Sequence, residues 1–254
     1  MTGDVLRCSS ASTMAEAAAA LFVAIGNDAI GARGVFTVAL AGGSTPRDVY
    51  SRLVADEYRA RLNWPAVTFF FGDERHVPPD HPDSNFLMAD TCLLRPLGIA
   101  PDQVWRMKGE YPDPSAAADE YERDLRQVFG SRLPRFDLVL LGMGPDGHTA
   151  SLFPGTDALK EDVKWVTANR VDALKTQRIT LTAPVLINAA EVIFTVKGGD
   201  KAEALRAVLD GPYQPERFPA QLVRPRHGRL RWLVDPEAAR LLPQSATDRL
   251  DATP

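Results

Sequence analysis

A chain of 254 residues with 45% hydrophobic composition can bury one large core, and a formal charge of −4 leaves no excess of basic side chains to seek a nucleic-acid backbone. Two cysteines, Cys8 and Cys92, stand far apart without C-x-x-C spacing, which argues against a disulfide framework or zinc knuckle and fits a reducing cytoplasm. The N-terminus lacks a basic segment followed by an apolar one, and no run approaches the ~20 apolar residues of a spanning helix, so neither export nor a membrane partner is expected.

Leu21, Phe22, Ile25 and Ile30 recur at helical spacing in an alanine-rich stretch, which predicts a helix over 12–30 with Ser12 and Thr13 as caps. An apolar strand at 35–41 follows, then a helix over 46–62 marked by Val49, Tyr50, Leu53 and Val54. The strand, loop, helix order recurs with a strand at 67–71, a charged loop over 72–85 and a helix over 86–94. A helix over 114–129, apolar along Tyr121, Leu125, Val128 and Phe129, leads to a strand at 137–141. Short strands at 165–168, 179–182 and 192–196 come next, the last running into a helix over 201–209. A strand at 230–234 and a helix over 236–241 opened by Pro236 close the pattern, and the polar residues 245–254 are expected to fray. This alternation predicts a Rossmann-like three-layer α/β domain spanning 1–254, a mostly parallel sheet with helices on both faces.

Four strand ends hold residues suited to chemistry. After the strand at 137–141 comes Gly142-Met143-Gly144-Pro145-Asp146-Gly147-His148, where an imidazole stands two residues from a carboxylate that can set its tautomer or raise its basicity. An ordinary Pro-Asp-Gly turn would use the same residues. Gly42, Gly43, Ser44 and Thr45 separate a buried strand from a helix whose first turn contains Pro46, so backbone N–H groups, hydroxyls and the helix dipole would all suit a phosphate. The spacing matches neither nucleotide-binding glycine pattern, and a well-capped turn would look alike.

Behind the Phe69-Phe70-Phe71 strand lie Asp73, Glu74, Arg75 and His76. Arg75 is a permanent cation able to hold a phosphate or an oxyanion, with Asp73 or Glu74 fixing its orientation; a solvated ion pair is the plain alternative. His76, His81, Asp73, Asp80 and Asp83 are close in sequence, but Pro78, Pro79 and Pro82 break any established ligand spacing, so no metal site is expected. At the fourth strand end Lys197 and Lys201 straddle Gly198-Gly199. A lysine at a helix start opposes the dipole unless an anion sits there, which makes Lys201 a candidate phosphate contact. Arg178 either reaches the same anion or lies on the surface, and Arg170 is equally open. Together these segments suit a phosphorylated substrate with His148 working on an uncharged part of it.

On Leu40-Ala41-Gly42-Gly43-Ser44-Thr45-Pro46, Gly72-Asp73-Glu74-Arg75 with Asp83-Ser84-Asn85, the long stretch from Leu141 through His148 to Gly155, Arg178-Ile179-Thr180-Leu181-Thr182, Gly198-Gly199-Asp200-Lys201 and Phe218-Pro219-Ala220, the chain resembles the 6-phosphogluconolactonase family of the glucosamine-6-phosphate isomerase/6-phosphogluconolactonase superfamily. The resemblance implies hydrolysis of 6-phosphoglucono-δ-lactone in the oxidative pentose phosphate pathway, with no cofactor or metal and no obligate protein partner. It implies His148 as general base, Asp146 as its tuning carboxylate, Arg75 at the oxyanion or phosphate, and Gly42, Gly43, Ser44, Thr45, Asp73, Arg178 and Lys201 around the substrate. The sister deaminases carry Asp-Glu-Tyr in the charged loop and Asn-Glu-Pro after the histidine segment, where this chain has Arg75 and Leu152-Phe153-Pro154. A carboxylate for proton shuttling is thus absent, which favours lactone hydrolysis over deamination. A non-catalytic sugar-phosphate sensor would need a DNA-binding module, and no basic segment is left over for one.

Overall fold

The computed structural model describes residues 3–243; the stretch expected to fray lies outside them. In chain order the elements are β1 (Asp4–Arg7), α1 (Ala11–Arg33), β2 (Phe36–Leu40), α2 (Ser44–Val54), α3 (Asp56–Arg59), β3 (Val67–Phe71), β4 (Asp73–Arg75), α4 (Asn85–Ala89) and α5 (Arg95–Leu97). They continue with α6 (Pro114–Phe129), β5 (Leu138–Leu141), β6 (Val166–Val171), β7 (Thr176–Leu181), α7 (Ala183–Ile187), β8 (Glu191–Val196), α8 (Ala202–Asp210), β9 (Arg229–Val234) and α9 (Pro236–Ala239).

Six strands form one parallel sheet in the order β1-β9-β8-β5-β2-β3, and helices cover both of its faces. The unbroken apolar runs have the reason expected of them. Val38, Leu40, Phe69 and Phe71 pack toward α1 and α2 on one face, while Ala39, Phe70 and Val139 pack toward α6 and α8 on the other. A second sheet, β4-β7-β6, is antiparallel. It departs from the sequence reading, which took 72–85 as a loop; Asp73–Arg75 becomes a strand by pairing with Arg178–Thr180, a partner far along the chain. Gly72 joins the two sheets, donating its N–H to Leu40 O at 2.8 Å and accepting from Leu181 N at 2.9 Å.

Several boundaries move for local reasons. Helix α1 starts earlier than expected because Ser10, not Ser12, is the cap: its hydroxyl accepts from Thr13 N at 3.1 Å while Thr13 Oγ1 accepts from Ser10 N at 2.9 Å. It ends at Gly34, which holds a left-handed φ of 76°. The expected helix over 46–62 breaks at Ala55, whose backbone is extended. At 23 residues, with an 18-residue stretch of mean hydropathy 1.3, α1 is, by length and composition, apolar enough to cross a membrane, which corrects the expectation that no segment is. Alanine supplies most of that apolarity, and Met14, Ala18, Phe22 and Val23 on its inner face are fully buried against the sheet.

Candidate active site

Strand order reverses between β2 and β5, since β3 lies outward of β2 while β8 and β9 lie on the far side of β5. In such sheets the crevice beyond the carboxyl ends at the reversal is where ligands bind. A cleft opens there, walled by 41–46 after β2, 142–144 and His148 after β5, Lys197 and Lys201 after β8, and Gly72, Asp73 and Arg75 at the junction of the sheets. The four segments singled out in the sequence therefore meet at one place.

His148 Nδ1 lies 2.6 Å from Asp146 Oδ1, and the His148 backbone N–H donates to the same oxygen at 3.2 Å. The turn closes through Gly144 N to His148 O at 2.9 Å and Gly147 N to Gly144 O at 3.0 Å, with Gly147 at a φ of 77°. A side chain on Gly144 would overlap the His148 ring and stand 2.7 Å from Asp146 Oδ1, so the pairing requires glycine there. Burial pushes the Asp146 carboxyl up, but the hydrogen bond from the ring and the ring's charge outweigh it and hold Asp146 below the usual carboxylate range. Phe153 stacks on the imidazole with centroids 4.0 Å apart, and the histidine remains partly open to the cleft.

Gly43, which precedes helix α2 with a φ of 102°, offers no side-chain cap, so the first N–H groups of this eleven-residue helix are left at the cleft wall. Gly42 has a different reason to be glycine: a Cβ would overlap the Asn85 amide. Asn85, which sequence reading did not assign to the site, lines the cleft and donates to Asp73 O at 2.9 Å. The signal was the Asp83-Ser84-Asn85 match, but nothing in it showed that the amide reaches back to Gly42.

Neither acidic neighbour orients the Arg75 guanidinium as expected. Glu74 is buried and accepts from Arg75 N, Asn85 N, Phe86 N and Ser84 Oγ at 2.7–3.0 Å, while Arg75 Nη1 donates to Asp83 O. Asp73 Oδ2 accepts from Ser151 Oγ at 2.6 Å. Arg178 sits directly across from Arg75 in the small sheet but is not part of the cleft wall; its guanidinium donates to Thr176 Oγ1 at 2.7 Å. Burial and the facing Arg75 charge both lower its proton affinity. Lys201 lines the cleft at the end of a 3₁₀ turn, paired with Asp200, and Lys197 lines it paired with Asp48 at 2.5 Å. Arg170 pairs with Asp172 on the surface, away from the cleft. Among the described residues no group of three or more His, Cys, Asp or Glu side chains is placed to hold a metal ion.

The family model for glucosamine-6-phosphate isomerases/6-phosphogluconolactonase matches residues 9–232. The chain belongs to this family. It is 40% identical to the 6-phosphogluconolactonase of a Nostoc species over 213 residues, covering 83% of this chain and 86% of that one. It is 43% identical to the rat 6-phosphogluconolactonase over 219 residues, 84% of this chain and 82% of the other. Among solved structures, 6-phosphogluconolactonase from Trypanosoma cruzi superposes with a TM-score of 0.86 at 30% identity, covering 95% of this chain and 97% of that one. A monomeric glucosamine-6-phosphate deaminase at 24% identity and a TM-score of 0.78 shares the family fold, so fold alone does not separate the two activities.

Proposed function

We propose that the protein is a single-domain hydrolase, spanning residues 1–254, that opens 6-phosphoglucono-δ-lactone to 6-phosphogluconate, with His148 as general base. The observation that carries this reading is the 2.6 Å His148–Asp146 pairing in a cleft whose facing wall is the uncapped start of α2 with Lys197 and Lys201 beside it. With Nδ1–H donated to Asp146, Nε2 is left as the acceptor nitrogen. It takes a proton from water as the oxygen attacks the lactone carbonyl. The C–O bond to the ring oxygen then breaks, and the imidazolium returns the proton to that leaving oxygen, so the imidazole ends neutral and the acyl carbon becomes a carboxylic acid, which ionises by releasing water's other proton to solvent. Arg75 is placed to offset the charge that develops on the carbonyl oxygen, and Gly43, Ser44, Thr45 and Lys201 receive the phosphate.

Phe153 favours this reading over deamination: the side chain stacked on His148 is an apolar ring, not the second carboxylate that ring opening and isomerisation would need. The test compares lactone opening, corrected for spontaneous hydrolysis, with ammonia release from glucosamine 6-phosphate. Turnover of the lactone alone is expected. Ammonia alone would select the deaminase, and neither product would leave a sensor.

A further inference from the structure

A buried polar chain runs from the α2 loop, along the cleft wall and into the core, to the turn that carries His148. It starts at Gly42, whose missing side chain makes room for the Asn85 amide. Asn85 Nδ2 donates to Asp73 O at 2.9 Å and faces Asp73 Oδ1 at 3.3 Å. The other carboxylate oxygen, Oδ2, takes the Ser151 hydroxyl at 2.6 Å. Ser151 is fixed further by Thr180 Oγ1, which accepts its N–H at 3.2 Å, and by Asn169 Nδ2, which donates to its carbonyl at 2.8 Å. Asp73, Asn85, Ser151, Asn169 and Thr180 are all buried.

Between Ser151 and His148 stands Ala150, which lines the cleft and holds a left-handed φ of 46°. That conformation costs a residue with a Cβ about 1–2 kcal/mol and persists only where neighbours over-determine it. Ser151, clamped on three sides, supplies that constraint immediately after the strained residue. Asp73 is poorly suited to touch the substrate itself. Both its oxygens face protein donors, and a carboxylate at an anion pocket repels the phosphate it would have to hold.

We propose that Asp73 is a positioning residue: through Asn85 it holds the Gly42 loop, through Ser151 it holds the strained turn, and it thereby sets the distance between bound phosphate and the His148 imidazole. This rests on the lactonase reading for its kinetic consequence but not for its structural one. The experiment measures lactone kinetics and the imidazole resonances of His148 by NMR in the wild type, Asp73→Asn, Ser151→Ala and the double variant, with melting curves confirming that each is folded. Each single change is expected to lower kcat about ten- to a hundredfold, the effect of a small misplacement of a catalytic group, with KM within about threefold. The double variant is expected to be no slower than the poorer single one, since both cut the same link, and the ring resonances shift in all three. A rise in KM with kcat retained would make Asp73 a substrate contact and overturn the proposal, as would multiplicative losses in the double variant or unmoved ring resonances. Should the wild type turn over no lactone, the functional reading fails, and the ring resonances still decide the positioning role.

Discussion

His148 and Asp146 work as a pair only because residue 144 has no side chain. A methyl group on Gly144 would occupy the volume of the imidazole, and the ring would have to swing away from Asp146. Gly144→Ala therefore tests the pairing without removing either partner. Its kcat is expected to approach that of His148→Ala, about 10²–10⁴-fold below the wild type, the usual worth of a positioned base. KM should stay within about threefold for both, because phosphate binding draws on the other wall of the cleft. Steady-state kinetics on the lactone decide it; a Gly144→Ala enzyme with full kcat would show that the Asp146 contact does not matter to the rate. The pairing of His148 with Asp146 was legible in the sequence because both lie in one seven-residue turn. The spacing argument gave no hint of Gly144, whose constraint comes from side chains folding back over it.

Between strands and helices the sequence was less readable. Asp73–Arg75 has no apolar periodicity, and its strand character comes from β7, roughly a hundred residues later, which no local pattern announces. The pairing places Arg75 and Arg178 side by side and turns Glu74 inward, where its carboxylate gathers the backbone N–H groups of Arg75, Asn85 and Phe86 around the start of α4. Burial raises the Glu74 carboxyl above its ordinary value, against the opposing pull of those hydrogen bonds. A carboxyl raised in the folded state contributes fully to stability only below its unfolded value and loses that contribution as pH climbs through the folded one. Glu74→Gln, which cannot titrate, is accordingly expected to match the wild type in urea unfolding near about pH 4 and to gain on it by about pH 7.5. A wild-type advantage that grows with pH would mean that the hydrogen bonds to the carboxylate outweigh its burial.

The alternation of strands and helices sufficed to anticipate the parallel sheet and the end of it where the cleft opens, because continuous apolar strands and short glycine-rich connections are local features. Sequence order could not show that β1 pairs with β9, bringing the start of the chain beside its last strand, nor that a second sheet meets the first at Gly72. That junction has a thermodynamic consequence. The cleft draws one wall from the large sheet, at 41–46, and another from the small one, at Arg75, so an anionic ligand spanning both would fasten the two sheets together. A ligand that binds only the folded protein stabilises it by about 2.7 kcal/mol at a hundred times its Kd, which for a chain of this size corresponds to about 5–10 °C in Tm. Excess 6-phosphogluconate, the proposed product, should raise Tm by that amount in a calorimetric scan. With Arg75→Ala at the same ligand concentration the rise should fall to less than about half, since only the large-sheet wall still holds the ligand and its affinity drops. An undiminished shift in Arg75→Ala would remove Arg75 from the ligand's contacts and with it the role proposed for it at the substrate carbonyl.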